Sequence, residues 1–380
     1  MPCLFCEGNM AVFDMRFSPK IIVGTVSNLG GSAFGWGDRA LLIADSSAQS
    51  VAAGIQERLD SWGIDAILFS RQELPSDTAA LEETLSLARG SHSKMVVGLG
   101  GEDILSLARL TAAIAPGSLR ASSVLNGAVI DGPGLPVLEI PVTGRHALLF
   151  RDEALLSDLS SGRTVLVPIP APAARTVILD ASLGSRFSTG ETALGLASLL
   201  AASAESFLSP RATFFSDVQS SSAAGAVAQL FRDAKEQSAD PDFRSRLIEA
   251  SVLSGMSTGL TAPGPVSILS WTVAGVSGVS KEAASAVLLP WMLESPLFAG
   301  SPKASVLSRL LADPEETPSG RPGDDVRGFF GRLGLPGRLR DLGTNLSAVI
   351  PAAEWAAGIM DSDRTDLDEA AFRDILEIAS

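Results

Sequence analysis

The sequence predicts an α/β region followed by an all-helical region, the first over residues 1–183 and the second over 184–380. Three observations lead there. The chain has 380 residues, room for about two domains of ~100–200 residues each. Short apolar runs alternate with segments of helical spacing until about residue 183, the pattern of a parallel sheet with right-handed crossovers. Beyond it, long Ala-, Ser- and Leu-rich segments keep helical periodicity and carry little strand signal.

Element by element, Lys20–Val23 (KIIV) is a short apolar run ending at Gly24. Ala40–Ala44 (ALLIA) is continuously apolar, as in a strand buried on both faces. Ser46 or Ser47 caps the next helix, where Val51, Ile55, Leu59 and Trp62 recur at helical spacing. Ala66–Phe69 reads as a strand, Leu81–Ala88 as a helix, Met95–Gly98 as a strand and Ile104–Ile114 as a helix. Val137–Ile140, Val165–Val167 and Val177–Leu179 read as further strands. In the second region Glu191–Leu208, Ala223–Gln237, Asp242–Met256 and Glu282–Leu293 read as helices. Ala312–Asp325, rich in Pro, Gly and acid, reads as a surface loop.

Hydrophobic residues make up 46% of the chain, enough for a large core, and the formal net charge is -14. No basic stretch interrupts that balance, which argues against nucleic acid and for small solutes or proteins as partners. Cys3 and Cys6 have CxxC spacing, but zinc needs about four ligands and no second pair exists. No basic segment followed by a long apolar run opens the chain, and apolar windows such as Ala193–Ala202 fall short of the ~20 residues of a membrane helix. A cytoplasmic location is the expectation.

Val96–Leu110 (VVGLGGEDILSLARL) reads as a strand, a glycine turn and a helix. Turns of this shape set backbone N–H groups and a helix N-terminus against a phosphate. Here Glu102 and Asp103 follow the glycines, two negative charges where an anion would sit. A carboxylate near a helix N-terminus is favourable with the dipole, and Asp103 suits an N-cap. The turn therefore reads as an ordinary capped helix start, closed by the protein's own acids.

The order of these motifs resembles the iron-containing alcohol dehydrogenases, which share a fold with dehydroquinate synthase and glycerol dehydrogenase. Phe17–Gly24 (FSPKIIVG) resembles the family's opening strand, and Ala40–Asp45 (ALLIAD) its second strand, ending in an acid near the adenosine ribose. VVGLGGEDILSLAR resembles the GGGSxxDxxK turn, and Leu138–Thr143 (LEIPVT) the segment before the PTTxGTGSE loop. Ala193–Ser209, Gly264–Trp271 and Lys281–Pro290 resemble the metal-bearing helices, and Leu333–Gly343 (LGLPGRLRDLG) the family's LGLPxxLxxxG. The resemblance implies a Rossmann-like dinucleotide-binding domain over 1–183 and, over 184–380, the helical domain that carries the metal. It implies cofactor contacts at Asp45, Gly100, Gly101 and Thr143.

The site residues depart from the family pattern. Counting from Glu205 and Pro290, the four ligand positions fall at Ser198, Ala202, Ser267 and Lys281, and a further active-site His falls at Trp271. The chain has two histidines, His92 and His146, both outside the helical region. A hydroxyl, a methyl and an ammonium do not replace imidazole and carboxylate as ligands. In the turn, the third Gly and the Ser become Glu102 and Asp103, and the family's Asp and Lys become Ser106 and Arg109. The nicotinamide loop becomes Pro141–Phe150 (PVTGRHALLF), where Arg145 and His146 are in reach of an anion or form a solvated turn.

The expected cofactor set is therefore none, with at most weak NAD(P) binding and no iron or zinc. The leading function is a divergent family member without the metal site, inactive in NAD(P)-linked alcohol or aldehyde oxidoreduction and serving in binding or assembly. A metal-independent enzyme using Lys281 as base or Schiff-base lysine in the interdomain cleft is an alternative, as is a residual NAD(P)-dependent alcohol dehydrogenase. GMSTG at Gly255–Gly259 has hydrolase-like spacing but lies in a helical pattern. Expected partners are a small-molecule ligand or a protein, in a homodimer or as a subunit beside an active paralogue, with no nucleic acid and no membrane.

Overall fold

The computed structural model describes residues 19–29, 35–72, 75–142, 147–170, 174–238, 240–295, 298, 301–311, 318–360 and 367–380. A parallel sheet fills the first half. Its strands are β1 (Lys20–Val23), β2 (Arg39–Asp45), β3 (Asp65–Arg71), β4 (Met95–Gly100), β5 (Val137–Pro141) and β8 (Arg175–Leu179), ordered β1-β8-β5-β4-β2-β3. Helices α1 (Gln49–Ser61), α2 (Thr78–Gly90), α3 (Glu102–Ile114) and the short α4 (Ala121–Leu125) accompany it. The pleat divides the apolar side chains between two layers. Leu41, Ile43 and Val96 face a core with α2 and α3; Ala40, Leu42, Ala44, Val97 and Leu99 face one with α1. A sheet buried on both faces needs continuous apolar strands, which is why ALLIA reads without alternation.

Two strands stand outside this sheet. β6 (Glu153–Asp158) and β7 (Arg163–Pro168) form an antiparallel hairpin, so Val165–Val167 is a strand but not a member of the parallel sheet. The cause is local: Asp158 accepts from the Ser160 N–H and from the Ser160 and Ser161 hydroxyls at 2.7–3.0 Å, and Gly162 turns back at φ 71°. A short turn of this kind returns the chain antiparallel.

The second half is helical, with α5 (Thr189–Leu208), α6 (Phe214–Gln237), α7 (Pro241–Thr261), α8 (Pro265–Ser277), α9 (Lys281–Glu294), α10 (Pro302–Leu311), α11 (Pro322–Gly331), α12 (Leu346–Val349), α13 (Ala352–Ile359) and α14 (Glu369–Ala379). Pro322–Asp325, expected in a loop, is the first turn of α11, with Pro322 at a position where a missing N–H costs nothing. Neither Ser46 nor Ser47 caps α1. Asp45 instead takes the Ser47 N–H and hydroxyl and winds 46–48 into a 3-10 turn.

The halves meet along close seams. Gly255 of α7 lies against Leu149 and Phe150, and Gly275 of α8 abuts Thr164 and the Gly162 carbonyl with no room for a Cβ. Every residue of α3 is buried, because it lies between the sheet and the β6–β7 hairpin. Each polar side chain on it must therefore find a partner inside the protein. Among the described residues no helix is long and apolar enough to cross a membrane.

Candidate functional site

The sheet changes direction between β2 and β4: β3 lies on one side of β2, while β4, β5 and β8 follow on the other. Ligands of such sheets bind at the carboxyl ends of the strands flanking that switch. Asp45 ends β2, and Gly100 ends β4 with Gly101 capping α3. Gly100 is needed for packing, since a Cβ there would meet the Ile104 side chain at 2.5–2.8 Å. The strand–turn–helix predicted from VVGLGG is thus present. Asp45 is 7% exposed and both its oxygens serve Ser47 at 2.6 and 3.0 Å. Thr143, Arg145 and His146 lie outside the described residues.

The acids after the glycines are turned inward. Glu102 and Asp103 are 8% and 6% exposed. Asp103 sits 2.7 Å from the Lys281 ammonium, and Glu102 lies 3.6 Å from the same nitrogen. The Trp271 indole N–H donates to Glu102 Oε2 at 2.9 Å, and the Ser76 backbone N–H donates to Asp103 at 3.1 Å. Asp103 does not cap its own helix; Gly101 holds that position without a side-chain cap. Burial pushes the Asp103 carboxyl above its usual range, against the pull of Lys281, with Glu102 adding to the rise. Burial works against the Lys281 ammonium too, but Asp103 and Glu102 outweigh it, and Lys281 is raised. Lys281 is thus held protonated at neutral pH, an ion-pair partner rather than a free amine.

Of the other counted positions, Ser267 joins a second buried acid. Glu205 reaches from α5 to the N-terminus of α8, accepting from the Val266 N–H, the Ser267 N–H at 3.1 Å and the Ser267 hydroxyl at 2.7 Å. Gly264, the N-cap of α8, has no side chain to do this, and a Cβ there would strike Glu205. Ser198 is fully buried on α5, its hydroxyl without a hydrogen-bond partner among the described residues. Ala202 is 4% exposed.

The two remaining turn departures are also absorbed structurally. Ser106 accepts from the Leu155 N–H at 3.2 Å. Arg109 points away from the turn and pairs with Glu139 of β5, which Arg175 of β8 holds from the other side at 2.8 Å. Burial raises Glu139, but the two guanidinium groups outweigh it and hold its carboxyl below the usual range. Arg175 is pushed down to about 10, by burial first and by Arg109 next. This triad and the capping role of Glu205 went unread in the sequence. The partners lie 30, 36 and 61–62 residues apart, beyond any local pattern.

Comparison with known proteins places the chain. Residues 18–181 match the sequence model of the iron-containing alcohol dehydrogenases, and 192–379 match that of the Fe-containing alcohol dehydrogenase family C-terminal region. The chain is 21% identical over 277 residues to the sulfoacetaldehyde reductase of Bilophila wadsworthia, spanning 72% of each protein. It is 26% identical over 224 residues to long-chain-alcohol dehydrogenase 1 of Geobacillus thermodenitrificans, spanning 58% of this chain and 56% of that one. Its fold matches an archaeal halo-thermophilic alcohol dehydrogenase from a Red Sea brine pool, at TM-score 0.86 and 17% identity over 97% of this chain and all of that one. It also matches the NADH-dependent butanol dehydrogenase A of Thermotoga maritima, at TM-score 0.84 and 16% identity over 98% of this chain and all of that one.

The chain belongs to the iron-containing alcohol dehydrogenase family. That overturns the expectation of no cofactor with iron and zinc excluded: the family is iron-containing, and a protein of the same fold is NADH-dependent. The four positions counted for the metal nevertheless do not fit one. They offer an orphaned hydroxyl, a methyl, a hydroxyl bound to Glu205 and an ammonium bound to Asp103. No three His, Cys, Asp or Glu are grouped for a metal among the described residues. The chemistry below is therefore derived from the chain's own side chains.

Proposed function

We propose that this family member has given up alcohol and aldehyde oxidoreduction at the cleft and serves as a binding or assembly protein, as a homodimer or beside an active paralogue. One observation carries the reading: the buried contact of Lys281 with Asp103, 2.7 Å, at the turn that opens α3. An ammonium stands at a position the family resemblance gives to a metal ligand, and its counter-charges come from the turn the resemblance gives to a phosphate. The two positions satisfy each other's charge. Asp45, Gly100, Gly101 and Thr143 remain the positions that the family resemblance gives to cofactor contact.

A catalytic Lys281 is supported less well. A Schiff base or general base needs the neutral amine, and Asp103 and Glu102 keep the proton on it.

The test is turnover. With iron supplied and NADH or NADPH present, the purified chain is assayed against sulfoacetaldehyde, 1,3-propanediol and long-chain alcohols, the compounds for which similar proteins are named. No rate above the protein-free background is expected, and co-elution with a catalytically active family member from the same cell is. Iron-dependent turnover of any of these compounds would overturn the proposal.

A further inference from the structure

We propose that Lys281, Glu102, Asp103 and Trp271 form a strap by which the chain's own charges hold the helical half closed on the carboxyl end of the parallel sheet. The inference uses the same turn as the proposed function but does not depend on loss of turnover.

The strap crosses between halves. Glu102 and Asp103 open α3, in the sheet half; Trp271 and Lys281 lie on α8 and α9, in the helical half. Everything polar in it is enclosed: the four residues are 8, 6, 2 and 7% exposed. Donors and acceptors face each other across it, with one ammonium and one indole N–H from one side meeting two carboxylates from the other. The groups facing Lys281 are Glu102 and Asp103 from α3 and Glu282 from its own helix. Trp271 and the Ser76 N–H also donate to the acids.

Other contacts between the halves differ in character: the Arg163 guanidinium lies over the Trp355 ring at 5.7 Å from its centroid, and two glycines make close seams. Gly255 against Leu149 and Phe150, and Gly275 against Thr164, are close van der Waals seams. Such seams hold shape over short distances and allow small sliding. An ion pair in a low-dielectric interior acts over a longer range and sets a definite register. The strap lies at the β2/β4 switch point, at the carboxyl ends of the strands. A ligand that closes a two-part fold supplies this kind of bridging charge from outside. Here the bridge is encoded in the chain.

Hydrogen exchange on the full chain tests it. Lys281→Met keeps the aliphatic length and removes the charge. Exchange is expected to rise about tenfold in residues 96–106 and 265–285 while β1 and α14 stay as they were. Trp271→Phe, which keeps an aromatic ring and loses only the N–H, should give the same regional pattern more weakly. Lys303→Met, which breaks a half-exposed pair with Asp217, should leave both regions unchanged. Unchanged protection at 96–106 in Lys281→Met overturns the strap. If that variant does not fold, Trp271→Phe decides: exchange unchanged at 96–106, or raised evenly over the whole chain, overturns it. Oxidoreductase turnover by the unaltered protein would sink the proposed function and leave this result standing.

Discussion

Two buried charge clusters in this protein are near mirror images. At the turn, one ammonium faces two carboxylates: Lys281 with Asp103 and Glu102. Beneath the sheet, one carboxylate faces two guanidinium groups: Glu139 with Arg109 and Arg175. The first joins the two halves, and the second lies within the sheet half. Their chemistry makes them unequal. A carboxylate stranded in the interior can take up a proton and become neutral, and Asp103 is already shifted that way. A guanidinium is a far weaker acid and keeps its charge. A cluster with excess acid can therefore discharge itself, whereas one with excess arginine depends chiefly on Glu139, with the partly exposed Asp152 3.7 Å from Arg175 as its second carboxylate.

The largest expected effect follows from that dependence. Glu139→Gln leaves two buried guanidinium groups without their only fully buried carboxylate among the described residues, and should cost about 3–5 kcal/mol in denaturant unfolding, nearly constant between pH 5 and 8. A loss at or below that of Lys281→Met would break the asymmetry. Lys281→Met is expected to cost less than Glu139→Gln near neutral pH, because Asp103 can take up a proton. Its deficit should shrink as pH is lowered, because Asp103, already raised, then binds a proton. A deficit that grows on acidification would refute the self-discharging account.

The unaltered protein should show the contrast in its pH dependence. The folded value of Glu139 lies below its ordinary 4.5, so its contribution is complete above that value and is lost as pH falls through the folded value. Asp103 has the opposite sign, because its folded value is raised and protonation favours the fold. At the alkaline end, the contribution of Lys281 is complete below 10.5 and lost as pH rises through its raised folded value. The folded value of Arg175, about 10, lies below its ordinary 12.5, so its term strengthens above about 10. Between pH 3 and 6 Glu139 should make stability fall on the acid side and Asp103 should oppose it, so Glu139→Gln should lose less stability on acidification than the native chain.

Smaller effects sharpen the comparison. Trp271→Phe removes one neutral donor to a buried carboxylate and should cost about 1–2 kcal/mol. Lys303→Met should cost no more than about 1 kcal/mol, because Lys303 is 37% exposed and its pair with Asp217 is screened by water. A similar loss for Lys303→Met and Lys281→Met would remove burial as the explanation.

The fold was legible wherever the signal was local. Continuous apolar strands such as ALLIA, helical spacing in α1 and the VVGLGG turn each declare themselves within a few residues. The β6–β7 hairpin was less so, because its direction is decided by Asp158 and Gly162 rather than by the strands. The departures at Glu102, Asp103 and Lys281 could be read from family register, but their mutual contact could not. Glu102 and Trp271 are 169 residues apart, and only the docking of α8 on the turn brings them together. Arg109 illustrates the limit: read as a neighbour of the turn, it belongs to Glu139, because a fully buried α3 directs it toward the sheet. The cofactor expectation failed for a different reason. It generalised from four positions to the whole protein, whereas both regions match an iron-containing family.

Glu205 bears on how the molecule assembles. The opening turn of α8 carries Gly264 and Pro265 and no capping side chain of its own. Its N–H groups are satisfied by a carboxylate from a helix 61 residues earlier. A helix start is the costly part of helix formation, because several dihedrals are fixed for the first hydrogen bond. For α8 part of that cost is offset by α5, so the start of the helix that carries Trp271 is completed by a tertiary contact and not by a local cap.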